Sequence, residues 1–273
     1  MWIDSRFRTS GTSSKFEYDL GGQIDIGHNA IAWITEVTLV SSWHTIQDNR
    51  NSLLYVVEKN SATPGGAVRV CPVTPGAYDA ETLRVSLEAA LNTGRPAAQS
   101  AYTVTRSNSL GTTSASSLGA AYRYYTVTCG TGSTFILPTD DWLKVNHHAQ
   151  GFDPKNPQST NELCVFLSET FSQTQTSSFV DLRGIHSVFI HMPGLTSYNT
   201  IAPGGRRTAV ARVPIDAAYG SVINWQHSGA GHEFVDIGSA AIRTLSVELR
   251  DARGNILDLQ GAHWSFAIVF SQR

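Results

Sequence analysis

The sequence contains few cysteines and no paired cysteine motif. Its three cysteines are Cys71, Cys129 and Cys164, and no Cys-x-x-Cys occurs. An odd number cannot pair completely within one chain, so the sequence argues against a disulfide scaffold and favours buried thiols in a reducing compartment. The N-terminus lacks the apolar segment of a signal peptide, and no apolar run approaches the ~18 residues of a membrane-spanning helix. We therefore expect neither secretion nor a membrane span.

Concentrated basic charge is also absent. Lys and Arg together number 20, and Asp and Glu number 22, which gives a net charge of −2. Proteins that coat nucleic acid need a clustered basic surface, so we do not expect nucleic acid as a partner. The Arg206-Arg207 pair follows Pro and Gly residues, and we interpret it as a solvated turn.

Catalytic signatures are missing as well. The sequence has no Gly-x-Ser-x-Gly elbow, no P-loop and no Gly-x-Gly-x-x-Gly fingerprint. Asp140 and Asp141 are adjacent acids, which point apart on an extended segment and so favour a cap or loop over a carboxylate pair. His147-His148 with Asp153 lies in a proline-flanked segment, which favours a surface loop over a metal site. We predict no enzymatic activity, no metal and no cofactor.

Alternating apolar and polar residues dominate what the sequence does contain. Between Leu245 and Arg250 the period of two predicts a strand with one buried face. Residues 251–255 carry turn chemistry, with Gly254 free to adopt a positive φ. Four large apolar side chains then share one face of a final strand over residues 264–270. Such a strand must lie between partners, because otherwise it would be an aggregation-prone edge.

Short strands recur along the chain, separated by loops rich in Gly, Ser and Pro. They are expected at residues 16–20, 24–26, 31–40, 53–57, 67–70, 101–105, 122–128, 135–137, 163–167, 179–182, 187–191, 208–214 and 233–237. Irregular spacing of this kind is typical of a β-sandwich. The sequence therefore predicts an all-β jelly roll whose two sheets are closed by the C-terminal strand.

One short segment, at about residues 79–92, predicts an amphipathic helix. Asp79 is a suitable N-cap, and Leu83, Leu87 and Leu91 repeat with helical spacing. Gly94 stands where such a helix would end. We expect this helix as a short insertion in the jelly roll.

Three segments, in matching order, resemble a known family. They are residues 3–16, IDSRFRTSGTSSKF; residues 75–78, PGAY, with the leucine helix that follows; and residues 249–266, with LRDARGN, LDL and WSF. They are similar to the SRxRTSGTSSxF opening, the PxGxY element and the closing hairpin of viral penton proteins. These are the vertex, or minor capsid, jelly-roll proteins of virophages, polinton-like viruses and related double-stranded DNA viruses.

The resemblance implies a structural role in the virion. Such proteins form homopentamers at the fivefold vertices of an icosahedral capsid, where they contact neighbouring major capsid proteins. The protein would then be located at the capsid vertex after synthesis in the host cytosol or nucleus. Residues from about 107 to 235 match none of these motifs, so the expected organisation is a single jelly-roll domain over residues 15–273 with room for an insertion there.

Residues 1–14 are expected to form a polar N-terminal arm. Within it, residues 5–14 carry too little apolar surface to order themselves, so we expect them to become ordered only against a neighbouring subunit, with Arg6, Phe7 and Arg8 as candidate inter-subunit contacts. Removing residues 1–12 should then leave a folded protein that assembles poorly.

Tryptophan content leaves an alternative function open. Jelly-roll lectins stack sugars on exposed aromatic rings, and Trp142 and Trp225 lie in polar or loop-like contexts. The alternative is a carbohydrate- or receptor-binding β-sandwich module with these two side chains as exposed contacts to a glycan or host receptor. The other interpretation of these two side chains is ordinary local packing.

Overall fold

The chain forms two compact units. The computed structural model describes residues 1–27, 29–107, 124–146, 152, 159–166, 168–178, 180–195, 203–205, 208–227, 234–237 and 241–272. The first unit, here the terminal unit, contains Met1–Trp43 and Ile185–Arg273; the second, the inserted unit, contains His44–Gly184. The inserted unit thus interrupts the terminal unit along the chain.

The described elements are mainly short strands. In chain order they are β1 (Trp2–Asp4), β2 (Ser10–Gly11), β3 (Lys15–Asp25), β4 (Ala30–Val40), β5 (Leu53–Lys59), β6 (Ala67–Pro72), α1 (Ala80–Asn92), β7 (Tyr102–Ser107), β8 (Tyr124–Cys129), β9 (Thr134–Ile136), α2 (Asp140–Asn146), α3 (Thr160–Cys164), β10 (Thr174–Thr176), β11 (Ser187–His191), β12 (Ala209–Pro214), β13 (Val222–Gln226), β14 (Val235–Asp236), β15 (Ala241–Arg250) and β16 (Ser265–Gln272). Short 3-10 turns occupy Ser5–Phe7 and Pro203–Gly205.

The terminal unit is an antiparallel sandwich. Its first sheet has the strand order β1-β16-β4-β13, with β14 also paired to β4, and its second sheet has the order β12-β11-β15-β3-β2. Alternation along the strands gives each sheet one apolar face, and side chains from both sheets, such as Ile34 and Val247, join one core. The predicted all-β sandwich is confirmed.

The C-terminal strand lies inside its sheet, as predicted. β16 pairs with β1 on one side and with β4 on the other. Trp264, Phe266 and Ile268 are buried, and the Trp264 ring stacks on Phe266 with centroids 5.0 Å apart. β16 therefore places the C-terminal strand in the core of the terminal unit and, through its pairing with β1, fastens the N-terminal strand there as well.

The expected closing hairpin is wrong, because β15 and β16 belong to different sheets. The turn itself forms: the Asp251 N–H donates to the Asn255 carbonyl at 3.0 Å, and Gly254 has φ 86°. Beyond it, Arg250 and Ile256 make one isolated bridge before Leu257 and its neighbours enter the core. Positive φ values at Gln260 and Gly261 then reverse the chain, so that β16 pairs with β4 instead of β15.

The inserted unit contains two three-stranded sheets and the main helix. The sheet orders are β6-β5-β9 and β10-β8-β7. Helix α1 begins with a capping box, in which the Asp79 carboxylate accepts from the Thr82 N–H at 2.8 Å, and it buries Leu83, Leu87 and Leu91. Gly94 follows the helix with φ 65°. The predicted helix, its cap and its apolar face are confirmed.

The inserted unit differs from the predictions in several features: α2 forms at Asp140–Asn146, although only the helix at about 79–92 was expected, and residues 180–182 do not form the expected strand. The strand expected over 163–167 is partly helix α3, because Ser159 caps it and the Asn161 side chain holds both backbone groups of Tyr55 at 2.7 Å. The unit also begins at His44 and ends at Gly184, whereas an insertion was expected within about 107–235. No Pro/Gly-rich linker marks these boundaries, and strands of both units share the same β-branched alternation.

Candidate functional site

The three cysteines are packing residues. Cys71 and Cys164 are buried, Cys129 is half-buried, and all three are free. Burial raises the pKa of the Cys71 thiol to about 11 and that of Cys164 to about 12, and it also raises the pKa of Cys129. The thiolate is the nucleophilic form, so these thiols stay protonated and unreactive at neutral pH.

The adjacent acids Asp140 and Asp141 occupy separate environments at the start of α2. Asp140 is buried and accepts a hydrogen bond from the Ser159 hydroxyl. Asp141 is exposed and pairs with Lys144 at 2.8 Å. The two carboxylates contact different residues, and both lie in the first turn of α2 rather than at its cap, which is Thr139: the Thr139 hydroxyl accepts from the Trp142 N–H at 3.2 Å.

A buried polar network joins three strands to α1. The Glu58 carboxylate on β5 accepts from Arg69 Nη2 on β6 at 2.6 Å and from the Tyr102 hydroxyl on β7 at 2.9 Å. Arg69 also donates to the Leu91 carbonyl at 2.7 Å and to the Thr93 carbonyl at 3.1 Å. Thus one guanidinium links the sheet to the C-terminal carbonyls of the helix.

Electrostatics keep Arg69 charged and Tyr102 protonated in this network. Burial lowers the pKa of Arg69, but its hydrogen bonds and charge pairing with Glu58 outweigh this and raise it. Burial and the Glu58 carboxylate both raise the pKa of Tyr102, so the phenol remains a donor. The Glu58 oxygens are engaged within the protein, and the network is a structural clamp.

No metal-binding group is found among the described residues. Within these ranges, no three His, Cys, Asp or Glu side chains lie together in a way that could hold a metal ion. His147, His148 and Asp153 lie outside the described residues, and so do Arg206 and Arg207. Their assignment to surface loops and turns stays a prediction.

The N-terminal segment is fastened to its own unit, which corrects one expectation. β1 pairs with β16, and Ile3 is fully buried. The Trp264 N–H donates to the buried Ser5 hydroxyl at 3.0 Å, and its indole Nε1–H donates to the Ser13 carbonyl at 2.7 Å. The segment was expected to become ordered only against a neighbouring subunit, and this expectation is wrong. A few buried side chains and backbone hydrogen bonds hold the segment in place without a large apolar surface.

Two of the three candidate contacts on this segment, Arg6 and Phe7, are nevertheless exposed, and Arg8 is half-buried. Arg6 is exposed and pairs with Asp4 at 2.6 Å, and the Phe7 side chain is 70% exposed. Arg8 donates to the carbonyls of Ser5 and Gly11 at 2.8 and 3.1 Å. The segment therefore presents a fixed surface of cations and an aromatic ring, and its role between subunits stays a prediction.

Trp142 and Trp225 are both half-buried. Trp142 lies on α2 and packs against a small cluster around Tyr55 and Leu143. Trp225 on β13 lies opposite Val37 on β4, and Phe266 on β16 lies opposite Val37 on the other side. Trp225 packs against the core of the terminal unit. Both rings serve local packing, and contact with a glycan or receptor stays a prediction for their exposed parts.

Sequence reasoning missed several exposed apolar side chains, three of which lie at the ends of the first sheet of the terminal unit. Trp2 is 71% exposed on β1, and Tyr219 and Val222 are each 55% exposed at the start of β13. The signal for Trp2 was its alternation with Ile3, which places neighbouring side chains on opposite faces of a strand. No comparable sequence pattern marked Tyr219 and Val222 as exposed, because the alternation in a short strand does not show which of its two faces is covered by the rest of the protein.

A groove of about 290 Å³ lies beside β15. Residues 193–195 and 241–246 line it, together with Glu17. Its polar groups Glu17, Arg243 and Thr244 are all exposed. Ligand sites place a few polar groups in an otherwise enclosed apolar setting, and this groove lacks that arrangement.

The comparisons with known proteins bear on the fold. None of the helices in the described parts of the chain is long and apolar enough to cross a membrane. No protein-family model matches the chain, and no curated protein sequence matches it. Among solved structures, it is similar to the penton protein of mavirus with a TM-score of 0.52 and 10% identity, over 100% of this chain and 99% of that chain. At this identity the likeness shows the fold, so this chain has the fold of a viral penton protein.

Proposed function

We propose that this chain is a penton: a homopentameric minor capsid protein at the fivefold vertices of an icosahedral DNA virus, where it contacts major capsid proteins. One observation carries the proposal, namely the likeness to the mavirus penton protein over essentially the whole of both chains. A shared sandwich alone would match only part of each chain. Synthesis in the host cytosol or nucleus, followed by incorporation into the virion, completes this proposal.

The placement of the family-like segments supports it. Residues 3–16 supply β1, β2 and the start of β3, and residues 249–266 supply the end of β15 and the start of β16. These strands lie in both sheets of the terminal unit. Two of the three penton-like segments therefore help to build this sandwich, and the third, residues 75–78 with α1, lies in the inserted unit.

Particle imaging tests the proposal. The chain would be co-expressed with the major capsid protein of its virus, and assembled particles examined by cryo-EM with and without it. We expect density for five copies at each vertex, and a pentamer mass by native mass spectrometry. A chain that stays monomeric and is absent from purified particles would refute the proposal.

A further inference from the structure

We propose that copies of this chain bind one another through two opposite flanks of the terminal unit, head to tail, to form a closed ring. The first flank contains β1, β2 and the link between them, and it presents Trp2, Arg6 and Phe7. The second flank contains β12, β13 and their link, and it presents Asp216, Tyr219 and Val222. The inference rests on the proposed function and names the surfaces that would close the pentamer.

Sheet topology places these two flanks at opposite sides of one sandwich. β1 and β13 are the two ends of the first sheet, and β2 and β12 are the two ends of the second. Consecutive edge strands thus form each flank, joined by a short segment of chain. Two different surfaces on opposite sides of one unit can repeat around an axis, which is the geometry of a cyclic oligomer.

Exposed apolar side chains concentrate on both flanks. Trp2 and Phe7 are 71% and 70% exposed on the first flank, and Tyr219 and Val222 are each 55% exposed on the second. A large aromatic side chain buries ~150–250 Å² on association, so Trp2 and Phe7 would supply a substantial part of the ~800 Å² that each partner buries in a stable interface. Exposed apolar groups of this size on one surface are typical of interaction sites.

The charges of the flanks disfavour pairing of two first flanks. Residues 1–12 contain Arg6 and Arg8 against the single acid Asp4, which Arg6 already pairs. The second flank, residues 209–226, contains two charged side chains of opposite sign, the exposed Arg212 and Asp216. Joining two first flanks would bring Arg6 and Arg8 of both copies together, whereas the second flank carries no net charge and offers Asp216 as a partner for them. The occupant of each flank is therefore the opposite flank of a second copy.

Paired substitutions test this assignment. One double variant, Trp2→Ser with Phe7→Ser, alters the first flank, and another, Tyr219→Ser with Val222→Ser, alters the second. Val145→Ser is the matched control, because Val145 is 83% exposed but lies on α2 of the inserted unit. We expect the wild type and the control to form rings by native mass spectrometry and both double variants to be monomers, with the same far-UV circular dichroism spectrum for all four proteins as evidence that the monomers are folded.

Mixing the two double variants gives a sharper test. Each retains one intact flank, so the mixture should yield one-to-one heterodimers and nothing larger. Rings from either double variant alone, or dimers formed by one of them alone, would overturn the head-to-tail assignment. Rings that persist while entry into particles is lost would also overturn it, because the flanks would then bind the major capsid protein.

Particle incorporation separates this inference from the proposed function. If the wild type enters particles and both double variants enter equally well, the flank assignment fails and the proposed function stands. If the wild type never enters particles, the proposed function fails, and the inference fails with it.

Discussion

The terminal unit and the inserted unit differ in how their parts are joined. In the terminal unit, apolar strands from distant parts of the chain meet, as when β1 pairs with β16. The inserted unit also has an apolar core, but its helix is tied to the sheet by the buried Glu58–Arg69 pair. Packing and long-range strand pairing therefore specify the terminal unit, whereas directional polar contacts add to packing in the inserted unit.

The largest expected effect comes from removing residues 1–12, which tests the long-range pairing of the terminal unit. The deletion removes β1, the fully buried Ile3 and the Ser5 hydroxyl that binds the Trp264 N–H. Loss of a buried Ile side chain alone costs ~2–5 kcal/mol, and the free energy of unfolding of a whole domain is ~5–15 kcal/mol. We expect aggregation or a melting temperature lowered by well over 10 °C.

Circular dichroism melts of the deletion, beside the Trp2→Ser/Phe7→Ser variant as control, measure this effect. The control changes the same segment but keeps Ile3 and Ser5. A deletion variant as stable as the wild type would show that residues 1–12 are an accessory arm after all.

Phe266→Ala is expected to have the next largest effect. Phe266 is 2% exposed in the middle of the first sheet and stacks on Trp264. Alanine leaves a cavity where the ring was buried, so the free energy of unfolding should fall by ~3–5 kcal/mol. Phe270→Ala is the matched control on the same strand, because Phe270 is only half-buried, and urea titration should show a smaller loss. Equal losses would mean that burial does not decide the cost in this sheet.

Glu58→Gln tests the polar contact of the inserted unit. The substitution keeps the side-chain shape but leaves the largely buried Arg69 guanidinium without its counter-charge. Breaking a buried ion pair by changing one partner costs ~3–5 kcal/mol, and since the Arg69 side chain keeps 15% exposure we expect about 3 kcal/mol. Denaturant titration and hydrogen exchange of α1 and β6 would measure it.

Two variants sharpen this result. Glu81→Gln removes an exposed α1 pair with Arg84 and should cost under about 1 kcal/mol. Glu58→Leu combined with Arg69→Met should recover part of the stability lost in Glu58→Gln, because no unpaired charge remains. If Glu58→Gln and Glu81→Gln cost the same, the buried pair is not what ties the helix.

Sequence patterns predicted the local elements well where one face is strongly apolar. The α1 leucines with Asp79 predicted the helix, its start and its buried face. The alternation after Leu245 and the aromatic run after Trp264 predicted two buried strands. Local periodicity gives the face that a strand buries, and this is why these predictions were confirmed.

Pairing partners and exposed surfaces could not be predicted in the same way. The assignment of β15 and β16 to different sheets depends on positive φ values at Gln260 and Gly261, and Gln is not a residue that signals such a turn. The order of residues 1–14 depends on Ser5 and Ser13 meeting Trp264, about 250 residues away in the chain. Contacts at that separation leave no trace in local composition, so the segment looked like a free arm.

The smallest predicted effect concerns Glu248, a charged contact of the terminal unit that can be compared with Glu58. Glu248 accepts from Arg250 Nη2 at 2.6 Å and from Lys15 Nζ at 3.1 Å, but the Lys15 side chain is 62% exposed. Desolvation raises the pKa of Glu248, and the hydrogen bonds from Arg250 and Lys15 outweigh it, so the net pKa lies below the ordinary value of 4.5.

Because the folded-state pKa of Glu248 is depressed, its contribution to stability is complete above about pH 4.5 and is lost as the pH falls through the lower folded-state value. Glu248→Gln should therefore lower the free energy of unfolding at pH 7 by about 1 kcal/mol or less, and the gap to the wild type should close toward pH 3. Urea titrations at pH 7, 5, 4 and 3 would measure this. Glu17→Gln is the control, because Glu17 is exposed on β3 and accepts a hydrogen bond from the Ser10 hydroxyl at 3.3 Å. A gap that stays constant over the whole range would mean that Glu248 acts through packing rather than charge, and a loss larger than that of Glu58→Gln would reverse the contrast between the two units.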